Sequence, residues 1–183
     1  VMPNNFVIKM AITASDTIVA VCNSNNVYKC SIAGGAWLAS NAGLPAINMN
    51  CIGVDVQNRL FIGTSSNNGS LYRCTNNGGL WTLVSTQMKT TVFNCVVTSQ
   101  NNRIYVGASG VFKSADGGQN WSDQNPEMNA SRIMLCFKCT RDGIFYIGNK
   151  LGVWRSTDNG FTWQLKNSGL SHFNVLQITE TAN

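Results

Sequence analysis

The sequence predicts an all-β propeller built from four-stranded antiparallel blades. An eight-residue stretch ending in tryptophan recurs four times, and its closing residues Trp37, Trp81, Trp121 and Trp163 lie 44, 40 and 42 residues apart. That period is typical of a propeller blade rather than of a helical repeat. Each period also holds short runs of β-branched and aromatic residues bounded by turn formers, which is the pattern of strands.

The four stretches, called boxes 1 to 4 from here on, follow the pattern Ser-x-Asp-x-Gly-x-Thr-Trp, best in boxes 3 and 4. A carboxylate or amide oxygen at the third position can accept backbone N–H bonds across the turn, and glycine takes a left-handed φ. Box 1, residues 30–37, has Ile32 there and is predicted to form a looser turn. The residues assigned to the boxes are Ser114, Asp116, Gly118 and Trp121 in box 3, Ser156, Asp158, Gly160 and Trp163 in box 4, Cys74, Asn76, Gly78 and Trp81 in box 2, and Trp37 in box 1.

Each blade is predicted to contain four strands, with the box as the turn from the third strand to the fourth. The first strand is apolar and innermost, a short polar turn follows, and β-branched and aromatic residues mark the second strand. First strands are predicted at residues 7–13, 50–56, 93–98 and 134–139, second strands at 18–21, 60–63, 104–107 and 144–148, and third strands at 27–29, 71–73, 111–113 and 153–155.

Residues 1–183 are interpreted as a single propeller domain with one strand left over. Residues 173–179 align with the first strands and predict the opening strand of a fifth blade. A closed four-blade ring has no place for that strand, and an open ring leaves apolar faces uncovered. The sequence therefore predicts part of a larger ring, completed by additional blades or by a second copy of the chain. The predicted blades span approximately residues 6–40, 47–84, 92–124 and 132–166.

Composition favours a chain that works outside the cytosol. Only 11% of the 183 residues are charged, against about 25% in an average soluble domain. Polarity comes instead from Asn, Ser, Thr and Gly, a balance that favours a secreted, extracellular or periplasmic location. The sequence has no run of 18 apolar residues, so no membrane span is expected.

The net charge of +5 does not by itself indicate a nucleic-acid partner. Lys29, Arg73, Lys113 and Arg155 each stand immediately before a box, which gives four of the thirteen cations a structural place in a blade. Other arginines fall in turns spread around the ring rather than in one patch. Nucleic-acid binding is therefore not expected.

The seven cysteines do not indicate a disulfide framework, because their number is odd and their positions follow the repeat. Alignment of the blades places Cys51, Cys95 and Cys136 in one column with Met10 and Leu176. A position shared by Cys, Met and Leu is predicted to be a buried apolar slot.

Neither a metal site nor a cofactor is predicted. Cys136 and Cys139 have the spacing of a Cys-x-x-Cys pair, but an extended strand sends residues three apart to opposite faces. A zinc site would also need a second pair or histidines, and His172 is the one histidine of the chain. Cys30 and Cys74 replace the serine of boxes 1 and 2, and each is expected to take its place in the turn.

The boxes resemble the bacterial neuraminidase repeat, or Asp-box, of sialidases, xyloglucanases, sortilin-type receptors and photosystem II assembly-factor propellers. Because the repeat extends along the chain, the resemblance covers essentially all of it. The motif is strong at Asp116 and Asp158 and degenerate in boxes 1 and 2. In those families the box lies on the outside of the blade, away from the ligand face. The resemblance therefore implies the fold and not a catalytic activity.

The residues of a sialidase-like active site are not identifiable. Such a site needs three arginines for the substrate carboxylate, a paired tyrosine and glutamate, and an acidic proton donor. Only Arg132 lies in a connection leading into an inner strand, and only Glu127 among the eight acids is well placed. We therefore expect no catalytic residues and no enzymatic activity in this segment.

The remaining candidate site is the face opposite the boxes, formed by loops between second and third strands and by connections between blades. Amides beside a few charges can hydrogen-bond sugar hydroxyls or a protein backbone, although asparagine is also simply a common turn residue. The expected function is protein binding or assembly within a larger secreted or surface complex. The alternatives are glycan binding, or part of a sialidase- or xyloglucanase-like glycoside hydrolase whose active site lies mostly outside this segment. The candidate ligand-binding residues are Asn25, Asn26, Asn67, Asn68, Glu127, Arg132, Lys150 and His172.

Overall fold

The computed structural model describes residues 6–23, 26–65, 69–85, 88, 92–99, 101–124 and 133–181. Within these ranges every regular element is a β-strand, and the strands form four antiparallel sheets of four. Each sheet is one blade, and its strands are hydrogen-bonded in chain order. The predicted architecture of four-stranded propeller blades is confirmed. Across the same ranges, the structure contains no helix with the length and hydrophobicity needed to cross a bilayer.

The strands of the four blades have the following bounds. Blade 1 contains β1 (Val7–Ile12), β2 (Thr17–Cys22), β3 (Asn26–Ser31) and β4 (Leu38–Ala39), and blade 2 contains β5 (Met49–Val54), β6 (Leu60–Thr64), β7 (Leu71–Cys74) and β8 (Thr82–Ser85). Blade 3 contains β9 (Cys95–Thr98), β10 (Ile104–Gly107), β11 (Val111–Ser114) and β12 (Ser122–Asp123), and blade 4 contains β13 (Cys136–Cys139), β14 (Phe145–Asn149), β15 (Gly152–Ser156) and β16 (Gln164–Leu165).

Three apolar cores join the blades face to face, while the first strands β1, β5, β9 and β13 follow one another around an axis. Burial of these side chains is the main favourable free energy of the stack. Members of the cores include Val19, Val27, Leu60 and Trp81 between blades 1 and 2, Phe61, Leu71, Ile104 and Val106 between blades 2 and 3, and Tyr105, Phe137, Phe145 and Ile147 between blades 3 and 4.

In blades 2, 3 and 4 a glycine of the second strand lies close to the chain segment that opens the next blade. A Cβ atom on Gly107 would meet the Cys95 sulfur and the Met134 side chain. At Gly148 it would meet the Cys136 sulfur and the Val175 side chain. The recurring glycine therefore lets blades 2, 3 and 4 approach the chain segment that follows each of them.

Boxes 3 and 4 form the predicted turn through their serine and aspartate. In box 3, Asp116 Oδ1 accepts the backbone N–H groups of Gln119 and Asn120, both at 2.9 Å. Ser114 Oγ donates to the same carboxylate at 2.8 Å and accepts the Gly118 N–H at 2.8 Å. These hydrogen bonds, led by the one from the Asn120 backbone, lower the pKa of Asp116 to about 2. Box 4 repeats the arrangement, and its hydrogen bonds, led by the one from the Thr162 hydroxyl, lower the pKa of Asp158 to about 2.

Box 2 reproduces this turn with a thiol and an amide. Cys74 Sγ donates to Asn76 Oδ1 at 2.9 Å and accepts the Gly78 N–H at 3.1 Å, so the cysteine takes the place of serine as predicted. In box 1 the prediction for Cys30 is wrong. Its thiol points to the carbonyls of Ser31 and Gly35, because Ile32 offers no oxygen to hold the turn together.

The leftover segment differs from the prediction. No residue of 173–179, all of which the structure describes, belongs to a strand ladder. A strand is defined by its hydrogen-bonded partner, and no strand among the described residues pairs with this segment. The segment nevertheless lies against blade 4, since the Val175 N–H donates to the Asn149 carbonyl at 3.0 Å.

Candidate functional site

A cavity of about 420 Å³ lies on the axis between the inner strands. All four first strands and the segment after blade 4 contribute to its wall. Most of the residues that line it are of apolar type, with a lysine and a glutamine among them, although polar atoms make up more of the exposed wall than apolar atoms do. Its lining includes Ile8, Lys9, Ile52, Val96, Phe137 and Gln177.

The register of the inner strands corrects the alignment made from the sequence. Cys51, Cys95 and Cys136 pair with the second-strand glycines Gly63, Gly107 and Gly148. In blade 1 the equivalent pair is Lys9 and Val21, so Lys9 belongs to the cysteine column. Met10 and Leu176, expected in that column, are 61% and 66% exposed. The pairs Ile12–Ile18 and Val54–Leu60 close turns of the same length in blades 1 and 2, so alignment on the second strands places Lys9, and not Met10, in this column.

Among the described residues that line this cavity, Lys9 is the one cation, and the sequence interpretation missed it. Its Nζ donates to the Asn94 carbonyl at 2.7 Å. Asn50 Nδ2 donates to the Phe93 carbonyl at 2.9 Å and to Asn94 Oδ1 at 3.1 Å. These contacts tie blades 1 and 2 to the start of blade 3. Aligning the blades on their second strands, rather than their first, would have identified Lys9.

The thiols beside Lys9 are held protonated. Burial raises the pKa of Cys51 and of Cys95 to about 12, and the nearby Lys9 charge opposes this only in part. Burial also raises the pKa of Cys136. A nucleophile or a metal ligand must be a thiolate, so these groups are poorly suited to either role. In the described ranges, no three histidine, cysteine or acidic side chains are grouped so that they could hold a metal ion.

Three of the eight predicted ligand-binding residues fall within the described ranges. Asn26 pairs with Cys22 at the start of β3, and its Oδ1 accepts the Asn41 side-chain amide at 3.3 Å, so it is used within blade 1. Lys150 is exposed in the turn between β14 and β15, and His172 is exposed beside Ser171. None of these three lines the axial cavity. The predictions for Asn25, Asn67, Asn68, Glu127 and Arg132 lie outside the described residues.

Comparison with known proteins identifies the fold and no closer relationship. No protein-family model matches the sequence, and no curated protein sequence matches it either. Solved structures do match. The chain has the β-propeller fold.

Three matches illustrate the range of proteins that share this arrangement. An ancestral GH74 enzyme has a TM-score of 0.69 at 20% identity, with 87% of this chain and 24% of that chain covered. YCF48 bound to D1 peptide has a TM-score of 0.67 at 11% identity, with coverage of 87% and 54%. The extracellular domain of the one-component system BT4673 from B. thetaiotaomicron has a TM-score of 0.71 at 15% identity, with coverage of 96% and 26%.

The chain therefore spans between about a quarter and about a half of the length of these proteins. Identities of 11 to 20% establish a shared fold and do not transfer a ligand or a reaction.

Proposed function

We propose that this chain is a non-catalytic, Asp-box-type propeller module that binds a protein partner through its axial cavity. The observation that carries the proposal is the chemistry of the wall. Among the described residues, those that line the cavity are apolar apart from Lys9 and Gln177, with the cysteine thiols among them, and none is a carboxylate or an imidazole. Carboxylates and imidazoles are the most frequent general acids and bases, whereas apolar residues around one oriented cation suit binding.

The expected partner is an extended polypeptide segment with apolar side chains and an acidic group. The apolar side chains would pack on Ile8, Met10 and Leu176, which line the cavity and are exposed, and the acid would approach Lys9. Capture of a peptide by this fold has a precedent in YCF48, whose structure contains D1 peptide. The low content of charged residues and the match to an extracellular domain support a secreted or cell-surface location.

The test is selection from a displayed library of random 12-residue peptides, followed by measurement of Kd for the enriched sequences. We expect apolar sequences that contain an acid. Lys9→Met should weaken their binding about tenfold through loss of the charge pair. Lys9→Arg should retain most of the affinity, and Lys150→Met, which removes an exposed cation away from the cavity, should leave Kd unchanged. Thermal unfolding of each variant verifies that it is folded.

Three outcomes would contradict the proposal. Absence of enrichment, or equal binding by the Lys9→Met variant, would exclude the cavity as the site. Retention on a glycan array, with loss of the signal in Asn26→Ala, would support the glycan-binding alternative instead. Hydrolysis of xyloglucan or of a sialylated substrate by the purified chain would show an enzyme.

A further inference from the structure

A second cavity, of about 390 Å³, lies where blade 1 meets box 2 and is called the box cavity from here on. Its wall is formed by the turn between β1 and β2, the end of β3, box 1, the start of β4 and one residue of box 2. Among the described residues, none lines both this cavity and the axial one. The lining of the box cavity includes Asp16, Thr17, Lys29, Gly35, Ala36 and Leu38.

The space next to box 2 is open because blade 1 has a small residue where blade 2 has an arginine. The Thr13 N–H donates to Thr17 O just as the Asp55 N–H donates to Arg59 O, so Thr17 and Arg59 hold equivalent positions. The Arg59 guanidinium lies directly against Gly117 of box 3. Threonine is much shorter than arginine, so Thr17 leaves the corresponding place beside box 2 unfilled.

Box 1 also lacks an oxygen that the other boxes supply to a backbone N–H. In boxes 2, 3 and 4 the N–H of the seventh residue donates to the side chain of the third, from Leu80 to Asn76 at 3.0 Å, from Asn120 to Asp116 at 2.9 Å and from Thr162 to Asp158 at 2.9 Å. The third residue of box 1 is Ile32, which has no such oxygen. Within the part of the chain that the structure describes, the N–H groups of Gly35 and Ala36 donate to no protein acceptor. Two backbone donors of the cavity wall are therefore available to a ligand.

The wall also carries two opposite charges that are not paired with each other. Lys29 Nζ donates to Asn77 O at 3.2 Å, which uses one of the three N–H groups of the ammonium. Asp16 is exposed, and its carboxylate forms no ion pair or hydrogen bond with another described residue. A ligand in the cavity can thus meet a cation together with backbone donors, and an anion as well.

We propose that the box cavity binds a dipolar ligand of the α-amino acid class. The ligand carboxylate would take the place of the missing box oxygen, accepting the N–H groups of Gly35 and Ala36 beside Lys29. Its ammonium group would pair with Asp16, and an apolar side chain would pack on Leu38, which is 60% exposed. A simple anion is disfavoured because Asp16 would repel it. The proposal does not depend on the protein partner of the axial cavity.

Three matched probes separate the contributions of the two charges. They are L-leucine, 4-methylpentanoate, which lacks the ammonium group, and 3-methylbutylamine, which lacks the carboxylate. Isothermal titration calorimetry with the full chain near neutral pH should give saturable binding of L-leucine with a Kd of about 1 mM. Each of the other two probes should bind about tenfold more weakly, because it loses one charge pair.

The decisive variant is Ile32→Asp, which supplies the missing carboxylate from within box 1. It should weaken L-leucine binding at least about tenfold, because the N–H groups of Gly35 and Ala36 then have an internal acceptor. Ile32→Val, which adds no oxygen at the same position, is the matched control and should leave Kd unchanged. Thermal unfolding of each variant verifies that it is folded.

A second variant, Asp16→Asn, tests the pairing with the ammonium group. It should remove the preference for L-leucine over 4-methylpentanoate by removing the charge that attracts one probe and repels the other. Asparagine tolerates the left-handed φ of 56° at this position, and Asn58 adopts a φ of 64° at the equivalent place in blade 2.

Failure of L-leucine to bind to a chain that unfolds cooperatively would overturn the proposal, as would equal Kd values for Ile32→Asp and Ile32→Val. Equal binding of L-leucine and 4-methylpentanoate by the unmodified chain would indicate a site for simple carboxylates, and the dipolar ligand proposed here would be wrong. We expect Lys9→Met to leave L-leucine binding unchanged, and loss of binding in that variant would assign L-leucine to the axial cavity instead.

Discussion

Tyr105 and Tyr146 occupy the same position in consecutive blades but have different surroundings. Tyr105 lies in the closed interface between blades 3 and 4, where it is fully buried. Its ring centroid is 4.5 Å from that of Phe145 and 5.8 Å from that of Phe137, and its hydroxyl donates to Asn159 O. Tyr146, on the outer face of blade 4, borders an open cavity.

The comparison shows that register and residue type determine which face of the blade a side chain occupies. The neighbouring blade determines how much that side chain contributes to the stability of the fold. Both tyrosines stand opposite a cation of the third strand, Lys113 and Arg155. Of the two, Tyr105 is the one that is shielded from solvent and packed against aromatic rings. The stabilisation therefore belongs to the interface rather than to the residue.

The largest difference is expected when each tyrosine is truncated. Tyr105→Ala should lower the free energy of unfolding by about 3 to 5 kcal/mol, because it empties an aromatic core. Tyr146→Ala should lower it by less than about 1 kcal/mol, since the side chain is only half-buried and borders an open cavity. Urea unfolding followed by tryptophan fluorescence measures both. Equal losses would show that the outer face of blade 4 is already covered in solution.

A second comparison concerns the turn after the first strand. In blade 2, Asp55 is buried and forms an ion pair with Arg59 at 2.5 Å, while Arg59 also donates to Asn102 of blade 3. Asp55→Ala should cost about 3 kcal/mol by leaving the largely buried guanidinium without its carboxylate. Thr140→Ala, at the equivalent place in blade 4, removes only hydrogen bonds with Ile144 and should cost about 1 kcal/mol. If urea unfolding gives similar losses of free energy for the two variants, the ion pair does not stabilise blade 2 more than these hydrogen bonds stabilise blade 4.

The cations that stand immediately before boxes 2 and 4 provide a third comparison, between Arg73 of blade 2 and Arg155 of blade 4. Arg73→Met keeps the aliphatic stem and removes the hydrogen bond to Gly117 O, so a loss of about 1 to 2 kcal/mol is expected. Arg155→Met should leave the melting temperature of the isolated chain nearly unchanged. Differential scanning calorimetry on the two variants tests this, and a drop for Arg155→Met would reveal a partner already bound.

The smallest effect is expected from the box carboxylates, and it depends on pH. Because hydrogen bonds lower the pKa of Asp116 and of Asp158 to about 2 from 3.8, their stabilisation is present above about pH 4 and is lost as the pH falls toward 2. Asp116→Asn with Asp158→Asn should cost about 1 kcal/mol per box near pH 7 and flatten the acid limb of the stability profile. Asn76→Ala is the control, since the box 2 amide does not titrate. An unchanged acid limb in the double variant would assign the pH dependence to other groups.

Much of the fold was predictable from the sequence because the determining interactions are local. Asp116 bonds to residues three and four positions away, so the box pattern contains its whole turn. The replacement of serine by Cys74 was predictable for the same reason. The hydrogen bonds of Cys30 were not predictable, because a thiol alone cannot organise the turn without an acceptor at the position of Ile32.

The candidate site was predicted less well because it depends on pairing between strands. The alignment placed Met10 with the cysteines, whereas the register places Lys9 there, next to the axial cavity. A shift of one residue moves a side chain to the opposite face of a strand. The predicted members Asn26, Lys150 and His172 were chosen as polar loop residues, a criterion that carries no information on which loops surround a cavity.

The sequence by itself determined the number of blades, the order of their strands and the chemistry of each box, because these features repeat within about forty residues. Only the tertiary structure decided the burial that raises the pKa of Cys51 and Cys95, and the different surroundings of Tyr105 and Tyr146. The physical reason is that burial and desolvation are properties of the space between blades. That space is set by residues some forty positions apart, whose contacts no local pattern specifies.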